Sequence, residues 1–175
     1  MNIIKEIKKN NHLNNIIYVN IILFILINLS IVFSFLLQKN IEIISYVGIS
    51  SNINIVITRP WTIITYMFIH ADFFHILINL FWLYFSGNIF ITYLNQKKLL
   101  STYLMGGIVG GIIYMLAFNI FPVFDIAKDH SLAIGASAAV FSILIASATY
   151  VPNFSVNLFL IGHVKLKHIA IIAVI

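Results

Sequence analysis

Within IHADFFHILIN, Ile69 to Asn79, His75 and Asn79 stand four residues apart. On a helix that spacing puts both on one face, about one turn from each other. An imidazole and a carboxamide so placed could donate hydrogen bonds to an oxygen that gains negative charge during a reaction. His70 lies five residues before His75, off that face, where a helix would begin. Asp72 fits the start of that helix, as a cap or first-turn acid, better than it fits catalysis.

The partner chemistry is offered by IGASAAVF, Ile134 to Phe141. Ser137 there follows Gly135 and Ala136, at the expected start of another helix. A helix start leaves backbone N–H groups unpaired, so a hydroxyl in that place sits beside ready donors. Small neighbours leave room for a substrate backbone. Together the pieces make a coherent acyl-transfer site. Ser137 would attack a carbonyl, and His75, Asn79 and a backbone N–H would hold the oxyanion. Packing is the competing explanation, since polar and small residues also join helices within membranes at about 1 kcal/mol per hydrogen bond. It accounts for a single Asn more easily than for His and Asn on one face. Intramembrane ionisable residues are functional candidates by default.

The elements that must position these groups are membrane helices. The chain has 175 residues, 61% hydrophobic and 9% charged, against about 25% charged in a soluble domain. Ile16 to Leu37 runs without a charge, long enough to span and longer than the roughly 7–15 apolar residues of a signal peptide. Gln38 to Pro60 is too polar to span and too apolar to float, so it reads as an interfacial segment with short helices. Further spans are expected over Phe73 to Tyr93, Leu99 to Phe121 and Ile134 to Tyr150. In GGIVGG the pairs Gly106 with Gly110 and Gly107 with Gly111 let helix backbones approach closely. A phosphate-binding loop would need a preceding strand and a following basic residue, and neither is there. The domain reading is an arm over residues 1–15 and a membrane domain over 16–175. From Lys165 the sequence turns apolar again to Ile175, like the start of a fifth span.

With the N-terminus in the cytoplasm, inside segments hold Lys5, Lys8, Lys9, Lys97, Lys98, Lys165 and Lys167, and outside segments only Lys39, Arg59 and Lys128. That bias is what the positive-inside rule expects, and it explains the basic excess without nucleic acid. His70, Asp72 and the loop before Ser137 then face outward. The zero cysteine count excludes thiolate chemistry. No third ligand accompanies His70 and His75, so no metal is expected. The heavy use of Ile, Asn and Lys suggests an AT-rich, bacterial genome and hence an inner-membrane location.

RPWTIITYMFIHADFFHILINLFWLYFSG, GGIVGG, GASAAVFSILIASATYVPN and the tail VNLFLIGHVKLKHIAII together resemble the rhomboid family of intramembrane serine proteases. The resemblance implies an all-α polytopic helix bundle of six spans, of which four complete ones and the start of a fifth are expected here. It implies Ser137 as nucleophile, with Gly135 as the close-packing glycine before it. His75, Asn79 and the Ser137 N–H would form the oxyanion site, and His70 would belong to its rim. The substrates implied are transmembrane proteins within the lipid bilayer, and no cofactor is implied. The family's general base is a histidine on the sixth span, and this sequence has no equivalent of it up to Ile175. Ala138 replaces a common glycine, and Ile91 replaces a common glutamate. Asp129 and His130 could be imagined as a substitute base pair, but nothing in the sequence locks them over Ser137. The chain therefore reads as a rhomboid protease fragment of low or absent activity. The alternative is an inactive rhomboid-like module that binds transmembrane clients. A channel or transporter would need ionisable residues mid-span on several helices, which are missing.

Overall fold

The first helix among the described residues, α1 (His12–Leu36), is 25 residues long, roughly 37 Å at 1.5 Å per residue. The computed structural model describes residues 12–39, 42–158 and 162–174. Helix is thus already formed at His12, within the expected arm, because Leu13 and Ile16 have a place to be buried. The place for Leu13 is Gly87, where an added Cβ would come within 2.5 Å of the leucine side chain. Lys5, Lys8 and Lys9 lie outside the described residues.

The semi-apolar link forms short pieces: α2 (Ile43–Val47), β1 (Ile49–Ser50), α3 (Ile53–Thr58) and α4 (Thr62–Thr65), then a 3-10 turn over Tyr66–Phe68. Several of its polar side chains bond to its own backbone. Arg59 donates to the Ser45 carbonyl at 2.9 Å and lies 4.2 Å over the Tyr46 ring. The Trp61 indole donates to the Tyr46 carbonyl at 2.8 Å, and the Thr65 hydroxyl to that of Val47 at 2.6 Å. Groups that would be costly in lipid are thereby satisfied.

Next come α5 (Phe73–Tyr93) and α6 (Gln96–Ile120). The boundaries of α5 match the sequence expectation. α6 starts three residues earlier than expected because Asn95 accepts the Lys98 N–H at 2.9 Å and caps it. After it β2 (Leu132–Ala133) pairs antiparallel with β1, Ile49 facing Ala133 and Ser50 facing Leu132. Then α7 (Ser137–Tyr150) begins at Ser137 rather than at Ile134. The β2 pairing and a positive φ of 119° at Gly135 keep the preceding residues extended. At 14 residues α7 is too short to cross by itself. Among the described residues three helices, α1, α5 and α6, are long and apolar enough to cross a membrane, and α7 is a shorter apolar helix. The hairpin β3 (Ser155–Leu158) and β4 (Gly162–Lys165) leads into α8 (Leu166–Val174).

α7 is the buried axis of the bundle. Ala139, Val140, Ile143 and Leu144 are all at most 1% exposed, and α5 and α6 pack along α7 on two sides. Outward, Phe33, Phe35, Ile113 and Phe81 are exposed, as lipid-facing side chains are. Inside, Asn20 reaches the Tyr103 hydroxyl at 3.3 Å, which in turn donates to the Met67 carbonyl at 3.3 Å. The Tyr66 hydroxyl donates to the Gly107 carbonyl at 2.6 Å. These bonds fasten the 3-10 turn to α6 and α1, just ahead of His70. The result is an all-α membrane bundle with two small two-stranded ladders.

Candidate active site

Asp72 sets the first element of the site. Its backbone is extended and its carboxylate accepts the His75 N–H at 2.9 Å, which makes it the N-cap of α5. The cap fixes where the helix starts, and so fixes His75 in the first turn. One turn on, the Asn79 amide donates to the His75 carbonyl at 2.9 Å. Asn79 is buried and His75 half-buried, on the shared face that their spacing implied.

His70, which the resemblance puts at the rim of the site, is a buried residue. It is 2% exposed, and its ring packs edge-on against His75 with centroids 5.0 Å apart at 71°. Neither ring nitrogen reaches a partner at hydrogen-bond geometry. Burial, and secondarily the neighbouring His75, pushes the His70 pKa down from 6.5 to about 4. His70 is therefore neutral at pH 7.

The other half of the site arrives through Gly135. Its N–H donates to the Tyr66 carbonyl at 3.0 Å, and a Cβ built on it would lie 2.6 Å from Nε2 of His75. Only a glycine lets the backbone lie against that imidazole, and only glycine adopts φ near +119° without strain. Two residues later Ser137 opens α7 and is exposed. Its hydroxyl makes no hydrogen bond among the described residues. The first bond at the helix start runs from the Val140 N–H to the Ala136 carbonyl at 2.9 Å. No side chain caps this end. The N–H groups of Ser137, Ala138 and Ala139 precede that bond, so they remain as donors at the helix start.

A free hydroxyl, unpaired N–H groups and an imidazole against the preceding glycine can together support attack on a carbonyl and hold the oxyanion. Ala138 is accommodated from the opposite helix. Its methyl faces Gly110, where an added Cβ would come within 2.4 Å of it. Ile91 is half-buried against the apolar core, with no polar partner to anchor. Asp129 accepts from Asn52 at 2.8 Å, and His130 is exposed. Sequence reasoning missed the Tyr66 carbonyl as the anchor for Gly135. No signal could have revealed it, since every residue carries a carbonyl. Residues 58–175 match the family model of the Rhomboid domain. No curated protein matches the chain.

Proposed function

The chain belongs to the rhomboid family of intramembrane proteases and related proteins, and we propose that Ser137 is its nucleophile, in an endopeptidase site for transmembrane protein substrates. The Ser137 oxygen attacks the scissile carbonyl while its hydroxyl proton passes to a base, a histidine in the family, that later hands it to the departing amine. The tetrahedral oxyanion is held by the Ser137 N–H with His75 and Asn79, and collapse releases the amine and leaves an acyl-serine that water hydrolyses. One observation carries this reading above the others. Gly135 lies against Nε2 of His75, which brings the α5 face and the Ser137 loop into one place. Orientation follows from the charge bias: N-terminus in the cytoplasm, Ser137 toward the outer side of a bacterial inner membrane.

The proton acceptor of the family is a histidine with no match among these residues. Without such an acceptor the serine attack is slow. The second reading is a rhomboid-like module that holds transmembrane clients without cutting them.

A fluorophosphonate probe tests both readings. It is applied to the purified chain in micelles, and to the same chain extended by further spans that carry the family histidine. The chain alone should label slowly, the extended chain quickly, and Ser137→Ala in neither form. Fast labelling of the chain alone would overturn the low activity. No labelling of the extended chain would overturn the nucleophile.

A further inference from the structure

Ser51 follows β1, is 0% exposed, and sends every polar atom to a distant part of the chain. Its N–H donates to the Ser131 carbonyl at 3.1 Å. Its hydroxyl faces two acceptors, the Ser131 carbonyl at 2.8 Å and the Lys128 carbonyl. Its own carbonyl accepts from the Asn119 amide at 2.8 Å. Beside it, Asn52 donates to Asp129 at 2.8 Å, and the pairing of β1 with β2 begins at the adjacent Ser50.

The segment from Ser131 to Ala136 is thus held at both ends. Ser51 grips its start, and the Tyr66 carbonyl grips Gly135 near its end. Between them the ladder is only two residues long on each strand, too short to hold its register unaided. Only Ala136 separates Gly135 from Ser137.

We propose that Ser51 is a positioning residue, whose hydroxyl fixes the Ser131 to Ala136 segment and through it the direction of the Ser137 N–H and Oγ. The proposal rests on the reading of Ser137 as the nucleophile. Ser51 touches no reacting atom. It acts because catalytic groups must be held within about 0.5 Å of their productive places. Without the hydroxyl, the Lys128 carbonyl loses its donor and the Ser131 carbonyl keeps only the Ser51 N–H. That favours a local opening of the loop over unfolding of the buried α7.

Hydrogen exchange read by mass spectrometry tests this in the whole chain, as the unmodified protein, Ser51→Ala and Ser51→Thr. Ser51→Ala should speed exchange between Ser131 and Gly135 by at least about tenfold and leave α5 and α6 unchanged. Ser51→Thr keeps the hydroxyl and should restore protection to within about threefold. Unchanged exchange in the segment would overturn the proposal. So would an equal rise through α5 and α6, which marks a merely structural residue. Should Ser51→Ala not fold, Asp129→Ala breaks the exposed bond from Asn52 and leaves the Asn52 cap on the Asn54 N–H in place. A smaller rise confined to the same segment then supports the anchor, and no rise overturns it.

The fluorophosphonate assay on the same variants separates the two readings. Absent labelling of the unmodified extended chain would defeat the nucleophile and leave the exchange result standing. Where labelling occurs, Ser51→Ala should slow it by at least about tenfold. An unchanged rate with a loosened loop would overturn positioning.

Discussion

Gly135 and His75 are in van der Waals contact, and there is no room between them for a methyl group: a Cβ on Gly135 would stand 2.6 Å from Nε2 and 2.8 Å from Cε1. The contact joins two stretches that are sixty residues apart in sequence. Each is held on its own side, His75 by the Asp72 cap and Gly135 by the Tyr66 carbonyl. A displacement of either residue therefore moves it relative to the other.

Gly135→Ala should be the most damaging small change in the site. It combines a φ of 119° with the overlap on the imidazole. Strain of that kind costs about 1–3 kcal/mol before the ring is displaced. Thermal unfolding in micelles should show the loss. An unfolding temperature equal to that of the unmodified protein would mean that the loop does not rest on His75.

His70 gives a pH dependence of defined sign. Its folded pKa of about 4 lies below the ordinary 6.5, so the unfolded chain binds the extra proton first as pH falls. This contribution to stability is full above pH 6.5, declines toward about pH 4, and is flat below. His70→Gln removes the titrating group and should flatten that part of the curve of unfolding temperature against pH. An identical slope in both proteins would mean that His70 is hydrated in the folded state.

Much of this was legible in the sequence, and the limits have physical causes. The ends of α5 were readable because Asp72 is a side-chain cap and the polar link at Asn95 to Lys98 ends the apolar run. The start of α7 was not. Ile134 to Ser137 is apolar and small, which suits helix as well as strand, and the choice was made by pairing with β1, over eighty residues away. The shared face of His75 and Asn79 followed from periodicity. The burial of His70 depends on the 3-10 turn and its bond to Gly107, which no local pattern encodes. Ser51 is one of two adjacent serines in a polar link, and composition could not show that one of them bonds to three distant residues.

The fit of Ala138 against Gly110 predicts a reciprocal pair. Gly110→Ala would drive a methyl to within 2.4 Å of the Ala138 Cβ, and overpacking of this kind costs about 1–3 kcal/mol. Ala138→Gly alone should be mild, and in combination it should recover at least half of the loss. Unfolding of the two single variants and the double variant measures the coupling. Additive losses would mean that α6 and α7 separate enough to relieve the contact.

Asp72 distinguishes capping from chemistry. Asp and Asn cap helices about equally well, while Ala cannot, and losing a cap costs about 0.5–2 kcal/mol. Asp72→Asn should therefore keep both the unfolding temperature and the rate of Ser137 labelling, and Asp72→Ala should lower the two together. The fall in rate has a structural cause, since the cap bond runs to the N–H of His75 itself at 2.9 Å. If Asp72→Asn unfolded normally but lost labelling, the carboxylate charge would be acting on the reaction. Asp72 would then belong to the site as an acid and no longer only as the residue that starts α5.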